Sequence, residues 1–508
     1  MPVYDLAVVG SGFAGSLLAG IASRLGHSVI LLEKGKHPRF AIGESSTPLA
    51  NLLLENLTTR YNLPALRPLA KWGTWQQAYP QIACGLKRGF TFYHHGLGAH
   101  PIDYADRAKQ LLVAASPHNR LSDTHWYRAE FDELFVRQAR DAGVEYLDEV
   151  HLEHAAESVD EILLQGRRHG REVAIRAGFI VDATGPRGFL HRALQIPEKP
   201  LPHFPGTQAL YTHFSGVKRI PPPHEPPPYP IDDAAVHHVF DGGWIWVLHF
   251  NNGVTSAGAA LTDALAQRLC LSEGEPAWSR LLQLLPGLNR QFASAPIERP
   301  FTFAPRLSFR SGAITGKRWA LLPSAAGFVD PLLSTGFTLT LLGIARLAEI
   351  LEHDWRRDTF ESALETYAAK TDRELLAAAR LIAALYKSMN DFPQFVSLSL
   401  LYFAAVSYAE TVTRLGKPHL ASSFLLCDHP SVGPQLARFF DRLHACPSGG
   451  VNREILTLIE PFNIAGLGNP ARRNWYPVDA ADLLSNASKV NATRQEIVDF
   501  LNRSGFWS

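Results

Sequence analysis

Three stretches of the sequence carry residue types and spacings that can do chemistry. The first is Gly10-Ser11-Gly12-Phe13-Ala14-Gly15, with the acid Glu33 further on. Glycines at this spacing allow a tight turn and bring backbone close to a pyrophosphate, the helix N-terminus faces the phosphate charge, and an acid about 20 residues later accepts hydrogen bonds from a ribose. An ordinary glycine turn is the plainer alternative. The second stretch is Phe179-Ile180-Val181-Asp182-Ala183-Thr184-Gly185, and the third is 319–322 followed by Gly327-Phe328-Val329-Asp330. Three returns to one sheet suit a long cofactor such as FAD, with Asp330 placed for its ribityl chain. No second glycine fingerprint in that context serves a nicotinamide nucleotide, which points to a flavoprotein reduced from outside, although some flavin hydroxylases bind NAD(P)H without one.

The elements that must hold these residues follow from periodicity. Residues 4–9 read as a strand, 14–24 as a helix and 28–33 as a second strand, so the glycine turn sits inside a βαβ unit and a parallel sheet is expected. Short aromatic and β-branched runs over 90–113 and 210–260 predict an antiparallel sheet, and 130–142 reads as a helix. The proline-rich stretch 197–230 predicts an extended surface excursion, because proline lacks the amide donor. Apolar positions at helical spacing over 339–353, 360–387 and 392–415 make the C-terminal third mainly helical. The predicted fold is α/β: a discontinuous Rossmann-like FAD domain (1–90, 120–190 and 300–345), an interleaved antiparallel-sheet domain on the substrate side (91–119 and 191–299), and a helical region (346–508).

Composition narrows the function further. At 508 residues with 46% hydrophobic content the chain can bury a large core, and Lys+Arg 49 against Asp+Glu 48 offers no general attraction to nucleic acid. Four cysteines, Cys84, Cys270, Cys427 and Cys446, are too scattered for a disulfide framework or a zinc site, so a reducing cytoplasm is expected. The apolar run 6–25 has the wrong flanks for a membrane signal, and 397–408 is too short to span one. His94-His95 and His237-His238 lack carboxylate or cysteine partners at ligand spacing, so no metal is expected. No Gly-x-Ser-x-Gly elbow or HExxH helix supports hydrolysis.

At a larger scale, Gly43-Glu44-Ser45-Ser46-Thr47-Pro48 after His37-Pro38-Arg39-Phe40, Cys84-Gly85-Leu86-Lys87-Arg88-Gly89-Phe90, Gly243-Trp244-Ile245-Trp246-Val247, and Phe328-Val329-Asp330-Pro331-Leu332-Leu333-Ser334-Thr335-Gly336 follow in an order that resembles the flavin-dependent halogenases. The likeness extends over most of the chain and is nearest to the phenol-type, phloroglucinol-chlorinating halogenase of the pyoluteorin pathway. It implies a Rossmann-like fold of the hydroxylase/halogenase type. It also implies a reaction in which reduced FAD and O2 form a C4a-hydroperoxide, chloride or bromide attacks it, and hypohalous acid passes through a tunnel to a lysine beside an electron-rich aromatic substrate.

Lys87 matches that lysine. An ammonium there can hydrogen-bond hypohalous acid and a neutral amine can be halogenated by it; burial lowers a lysine pKa and leaves both open. A surface lysine beside Arg88 is the plainer reading. Thr335 and Gly336 match the halide-binding positions, at the start of a helix where amides are unpaired; a simple capped helix start is the alternative. Gly10, Gly12, Phe13, Ala14, Gly15, Glu33, Lys34, Arg39, Ile42, Gly43, Glu44, Arg128, Asp330 and Phe337 are the positions expected to hold the cofactor. Ordinary helix-end roles compete for Glu44 and Arg128. Two departures stand out. The family's WxWxIP signature reads Trp244-Ile245-Trp246-Val247-Leu248-His249, with His249 for proline, either a satisfied core residue or a polar group in the tunnel wall. Leu333 stands where tryptophan halogenases carry glutamate, which argues for a phenol or pyrrole substrate, free or carrier-bound. The resemblance further implies a separate flavin reductase and is compatible with a homodimer. A flavin monooxygenase or dehydrogenase on the same fold is the competing function.

Overall fold

The computed structural model describes residues 3–99, 103, 104, 106–445 and 451–507; Cys446 lies outside them. In β1 (Val3–Val9) the last four residues are buried in succession, and β2 (Val29–Leu32) is buried throughout. Unbroken apolar runs of this kind fit strands covered on both faces. They pair in parallel across the crossover helix α1 (Phe13–Arg24). On the other side of β1 lie β10 (Arg171–Asp182) and then β18 (Trp319–Leu321), both parallel, with β7 (Glu145–Leu147) beyond β2. β17 (Thr315–Gly316) closes one edge, and β8 (Val150–Glu157) with β9 (Ile162–Arg168) adds an antiparallel flap to β10. The register aligns Val9 with Leu32, Val9 with Asp182 and Asp182 with Leu321. Four strands therefore end in one row, and ligand crevices in open α/β sheets form outside such a row.

The second sheet runs β15 (Thr302–Ala304), β11 (Thr207–Ser215), β14 (Val254–Thr262), β13 (Gly243–His249), β12 (Ala235–Phe240), β4 (Gly89–His94), β5 (Gln110–Ala114), β20 (Trp475–Tyr476). It is not purely antiparallel as expected: β4 pairs parallel with β12 and β5 with β20. Between β4 and β12 the chain passes through β7 to β10 of the other sheet, a crossover long enough for parallel pairing. β20 is two residues long, too short to leave a periodic signal. Its presence inserts the predicted helical region into the sheet.

Two ribbons complete the strands. β3 (Cys84–Lys87) pairs antiparallel with β6 (Asp123–Trp126). β16 (Phe309–Arg310) pairs with β19 (Gly327–Phe328), so the predicted third return divides, with β18 joining the sheet and β19 leaving it. The helices α2 (Pro48–Arg60), α3 (Trp72–Ala78) and α4 (Arg128–Asp141) flank this region. Residues 217–230 form no helix or strand, as their prolines require, but Ile220 and Tyr229 are buried, and the Tyr229 hydroxyl donates to Phe90 O at 2.6 Å. That part of the predicted surface excursion is thus anchored in the core.

The predicted C-terminal helices are Thr335–His353, Phe360–Lys387 and Phe392–Arg414. The last agrees with the predicted 392–415 span, but as a 23-residue helix, rather than the 397–408 run alone, it could by length and composition cross a membrane. In this fold 83% of its apolar window is buried against the second sheet and neighbouring helices.

Candidate active site

The glycine turn follows β1 directly. Gly10 has φ +98°, and a Cβ there would lie 2.8 Å from the Ala183 carbonyl, while a Cβ on Gly15 would overlap Gly10 O. Both are required by the fold alone. Gly12 differs: a Cβ would meet nothing nearer than Arg128 Nη2 at 3.5 Å. Its freedom is needed only when something lies on the turn, which is the observation that fits a pyrophosphate. The turn opens into one cavity of about 1000 Å³, lined also by Phe13, Ala14, Glu33, Lys34, Arg39, Ile42, Gly43, Glu44, Arg128, Asp330, Thr335, Gly336 and Phe337. The expected cofactor and halide positions other than Gly15 share that space; neither Gly15 nor Lys87 is in its lining.

Glu33 closes β2 and accepts from Ser11 N (2.9 Å), Ser11 Oγ (2.8 Å), Gly35 N (2.8 Å) and Arg39 Nη2 (3.1 Å). Burial alone would raise its carboxyl pKa; Arg39 and these donors outweigh burial and hold it below the ordinary range. Arg128 is buried, so the solvated helix-end reading does not hold for it. It grips Asp132 through Nε and Nη2 (both 2.8 Å) and donates through Nη1 to Ile42 O (3.1 Å) and Gly43 O (2.8 Å). Asp132, which the sequence reading missed, also takes the Phe13 amide at 3.3 Å. Arg128 therefore staples the 42–43 turn over α1, above the Phe13 and Phe337 rings.

Leu333 and Ser334 adopt the left-handed region, at φ 64° and 54°, before the helix beginning at Thr335. Ser334 occupies the N-cap position but its side chain makes no cap bond, contrary to a simple capped start. Non-glycine residues in this region cost of order 1 kcal/mol or more each, and here they turn a helix start with uncapped amides toward the cavity. Leu333 is fully buried in the helical core, so no carboxylate occupies its position.

Asp330 lines the same wall, but its carboxylate already holds protein donors: Trp244 Nε1 at 3.1 Å, Leu332 N at 3.0 Å and Tyr386 OH at 2.8 Å. Burial pushes its pKa up to about 7 against these donors. The expected ribityl ligand is thus also the anchor of the first indole of the Trp-x-Trp run. The indoles of Trp244 and Trp246 both face the cavity, 5.7 Å apart. His249 does not line it. Its Nδ1 meets Thr255 Oγ1 at 3.0 Å, burial lowers its pKa to about 4, and its carbonyl packs where Gly85 would carry a Cβ. His249 is thus half-buried and hydrogen-bonded, away from the cavity wall.

Lys87 ends β3 and is fully buried. Its Nζ donates to Ser45 Oγ at 2.9 Å and to Ser46 O, and lies 3.8 Å from the centre of the Phe90 ring. It is no surface lysine. Burial draws its pKa well below the usual lysine range while Asp123, opposite it in the β3–β6 ladder, pulls the other way. Ser45 lines the cavity, so the lysine stands one hydroxyl behind the wall. Glu44, beside it, bonds His213 Nε2 through one oxygen at 2.8 Å and keeps the other buried without a partner. His237 lines the cavity and stacks on Phe92 and Trp244, whereas His238 faces away and meets His95 at 2.9 Å. The two adjacent histidines therefore point to opposite faces of β12, as side chains alternate along a strand. Asp123, His213, His237 and Tyr386 had no assigned role because each is distant in sequence from the residues it meets, whereas Ser45 lies within a quoted motif and Asp132 one helical turn from Arg128, and only the fold shows what they bond.

Comparison with known proteins bears on this geometry. The family model described as tryptophan halogenase matches residues 105–393. The chain is 28% identical over 417 residues to the tetracycline 7-halogenase of Kitasatospora aureofaciens, covering 79% of this chain and 73% of that one. It is 28% identical over 419 residues to the monodechloroaminopyrrolnitrin halogenase PrnC of Pseudomonas fluorescens, covering 77% and 69%. Among solved structures, halogenase PltM in complex with phloroglucinol and FAD matches with a TM-score of 0.73 at 23% identity, over 99% of this chain and 96% of PltM. At that identity the likeness is one of fold.

Proposed function

The chain belongs to the tryptophan halogenase family, and from that premise we propose that this flavin-dependent halogenase installs chloride or bromide on a phenol or pyrrole by way of Lys87. The observation that carries the proposal is the path itself. One cavity runs from the glycine turn past the uncapped helix start at Thr335 to Ser45, whose hydroxyl is hydrogen-bonded to a buried lysine.

Bound reduced FAD supplies, with O2, the oxidising equivalent that converts halide to hypohalous acid. Gly12, Glu33, Lys34, Arg39 and Arg128 are the residues that would hold it along the crevice, with Ile42 and Gly43 closing above. The amides at Thr335 and Gly336 hold the halide by the electrostatics of a helix N-terminus. The two indoles and Leu248 keep water from that wall. Lys87 then presents N–H donors to hypohalous acid once Ser45 or Phe90 yields its place. Leu333, in place of an indole-orienting carboxylate, supports a substrate activated by its own hydroxyl or ring nitrogen. A separate reductase is the proposed source of reduced flavin, and the substrate arrives free or on a carrier.

The test is an assay with FAD, NADH, a flavin reductase and either halide over a panel of phenols, pyrroles and indoles. A halogenated phenol or pyrrole is expected, and its loss in Lys87→Ala. Hydroxylated product alone at saturating halide would give the reaction to the monooxygenase alternative.

A further inference from the structure

Lys87 is held by β3, β6, Ser45, Ser46 and the Phe90 ring of β4, while Asn51 of α2 and Tyr402 of the helix Phe392–Arg414 lie on the Asp123 side. Asp123 stands directly opposite it in the ladder, buried like the lysine. No direct hydrogen bond joins the two; a relay does. Asn51 Nδ2 donates to Asp123 Oδ1 at 2.8 Å and to Ser46 Oγ at 3.0 Å, and the Ser46 carbonyl accepts from Lys87 Nζ. The other oxygen, Asp123 Oδ2, is buried without a partner, as is the Tyr402 hydroxyl. The remaining charges nearby are accounted for. Arg414 lies 2.8 Å from Glu410 and 3.5 Å from Glu55, and Lys71 lies 3.7 Å from Glu55. His125 and His237, which also face the lysine, are kept neutral, chiefly by burial. An unpaired carboxylate is costly to bury, and this one has one uncompensated cation for a neighbour.

We infer that Asp123 is a positioning residue for Lys87, a buried counter-charge fixed through Asn51 and Ser46 that keeps the amine protonated while hypohalous acid is held beside it. The inference rests on the Lys87 reading above and specifies the form of the lysine. As the ammonium, Lys87 donates a hydrogen bond and gains no covalent bond: the ring carbon takes the halogen as the oxygen–halogen bond breaks, and the ring proton leaves with the hydroxide as water. As the neutral amine, the nitrogen itself takes the halogen, and its proton leaves with the hydroxide as water. Asp123 thus favours delivery over capture. Burial draws Lys87 toward the amine and Asp123 opposes it; burial raises Asp123 and Lys87 opposes that.

The full-length enzyme with oxidised FAD, labelled with 13C at the lysine ε-carbons, allows Lys87 to be titrated by NMR, its signal assigned by Lys87→Ala. Asp123→Asn should move the Lys87 midpoint to lower pH by about one pH unit or more. Asn51→Ala, which frees Asp123 to take up a proton, should move it the same way by less, and it decides the matter if Asp123→Asn does not fold. The alkaline limb of halogenation should move in parallel, with the rate of reduced-flavin oxidation unchanged. A midpoint that stays put or rises in the folded variants overturns the inference. A midpoint that moves as expected while Lys87→Ala halogenates normally leaves the electrostatic pairing standing and removes the lysine relay.

Discussion

The cofactor crevice and the lysine chamber lie on two sides of Ser45 and are built on opposite plans. The crevice is made of backbone: a glycine turn, a row of parallel strand ends and a helix start, with side chains added at the margin. The chamber is made of groups drawn from several separate segments, none able to hold the lysine alone. A backbone site tolerates change where the ligand is absent and fails when the ligand must fit. A side-chain site is closed before anything enters it, so its chemistry depends on which groups share each proton.

The largest effect should separate the two. Lys87→Ala is expected to lower halogenation on the order of 10³-fold, the scale of losing a donor positioned for the transition state. FAD affinity and halide-stimulated flavin oxidation should persist, because the change lies behind Ser45. If FAD titration or flavin oxidation falls with product formation, the chamber and crevice are one unit and the comparison breaks.

Next come the glycines, which sort the crevice into ligand and scaffold. Gly12→Val should abolish FAD binding and lower the thermal midpoint of the flavin-free protein less than Gly15→Ala does, since a Cβ at Gly12 meets only side-chain ends at 3.5 Å or more. Gly15→Ala should destabilise the protein by about 1–3 kcal/mol, with or without flavin, because its Cβ has Gly10 O in its way. Calorimetry with and without FAD reads both. A stable, flavin-free Gly15→Ala and an unstable Gly12→Val would reverse the assignment.

The same contrast explains what could be read from the chain alone. The βαβ unit and the glycine turn are contiguous, so their periodicity and spacing are local signals, and the C-terminal helices have long apolar repeats. Asp123 shows none of this: it lies 36 positions from Lys87 and meets it only because β6 folds back on β3. Arg128 was found, but not its grip on Asp132, which depends on helix position rather than motif. Asp330 was singled out as a cofactor position from its place after a strand, yet its bond to Tyr386 spans 56 positions, and no pattern couples a loop aspartate to a residue late in a helix. The parallel β4–β12 and β5–β20 ladders were hidden for the same reason.

Acid should sharpen the comparison at a smaller scale. In and around the antiparallel sheet, burial holds His95 at about 4, His237 at about 3 and His249 at about 4, and keeps His125 and His238 well below the ordinary value. Unfolded histidines protonate below about 6.5, so unfolding takes up protons; their contribution is full above that pH and is lost as pH falls toward the folded values. Asp123, Asp232 and Asp330, raised by burial, act in the opposite sense, but the histidines outnumber them. A loss on the order of 2 kcal/mol per pH unit is expected between pH 6 and 5. Glu33, with a depressed pKa, keeps its contribution until pH falls below the usual carboxylate range. Exchange protection, normalised for intrinsic rates, should therefore fall first in β4, β12 and β13 and later at the glycine turn; simultaneous loss would contradict it.

The smallest expected effect concerns Arg88, one residue from the lysine. The β3 strand ends at Lys87, and the chain turns so that Arg88 reaches Asn119 Oδ1 (2.9 Å), Ser116 O (3.3 Å) and Pro117 O (2.9 Å), away from Ser45. Arg88→Ala removes these bonds from the outer loop without touching the lysine, its ladder partner or the cavity. Loss of bonds from a buried guanidinium should cost about 1–3 kcal/mol of stability. Halogenation at a temperature where the variant is folded should stay within about threefold of the parent, with the pH profile unmoved, because the Lys87–Asp123 pair keeps its surroundings. A loss comparable to Lys87→Ala would mean that the chamber extends through Arg88 to the 116–119 loop, and that its closure rather than its lysine is what the reaction requires.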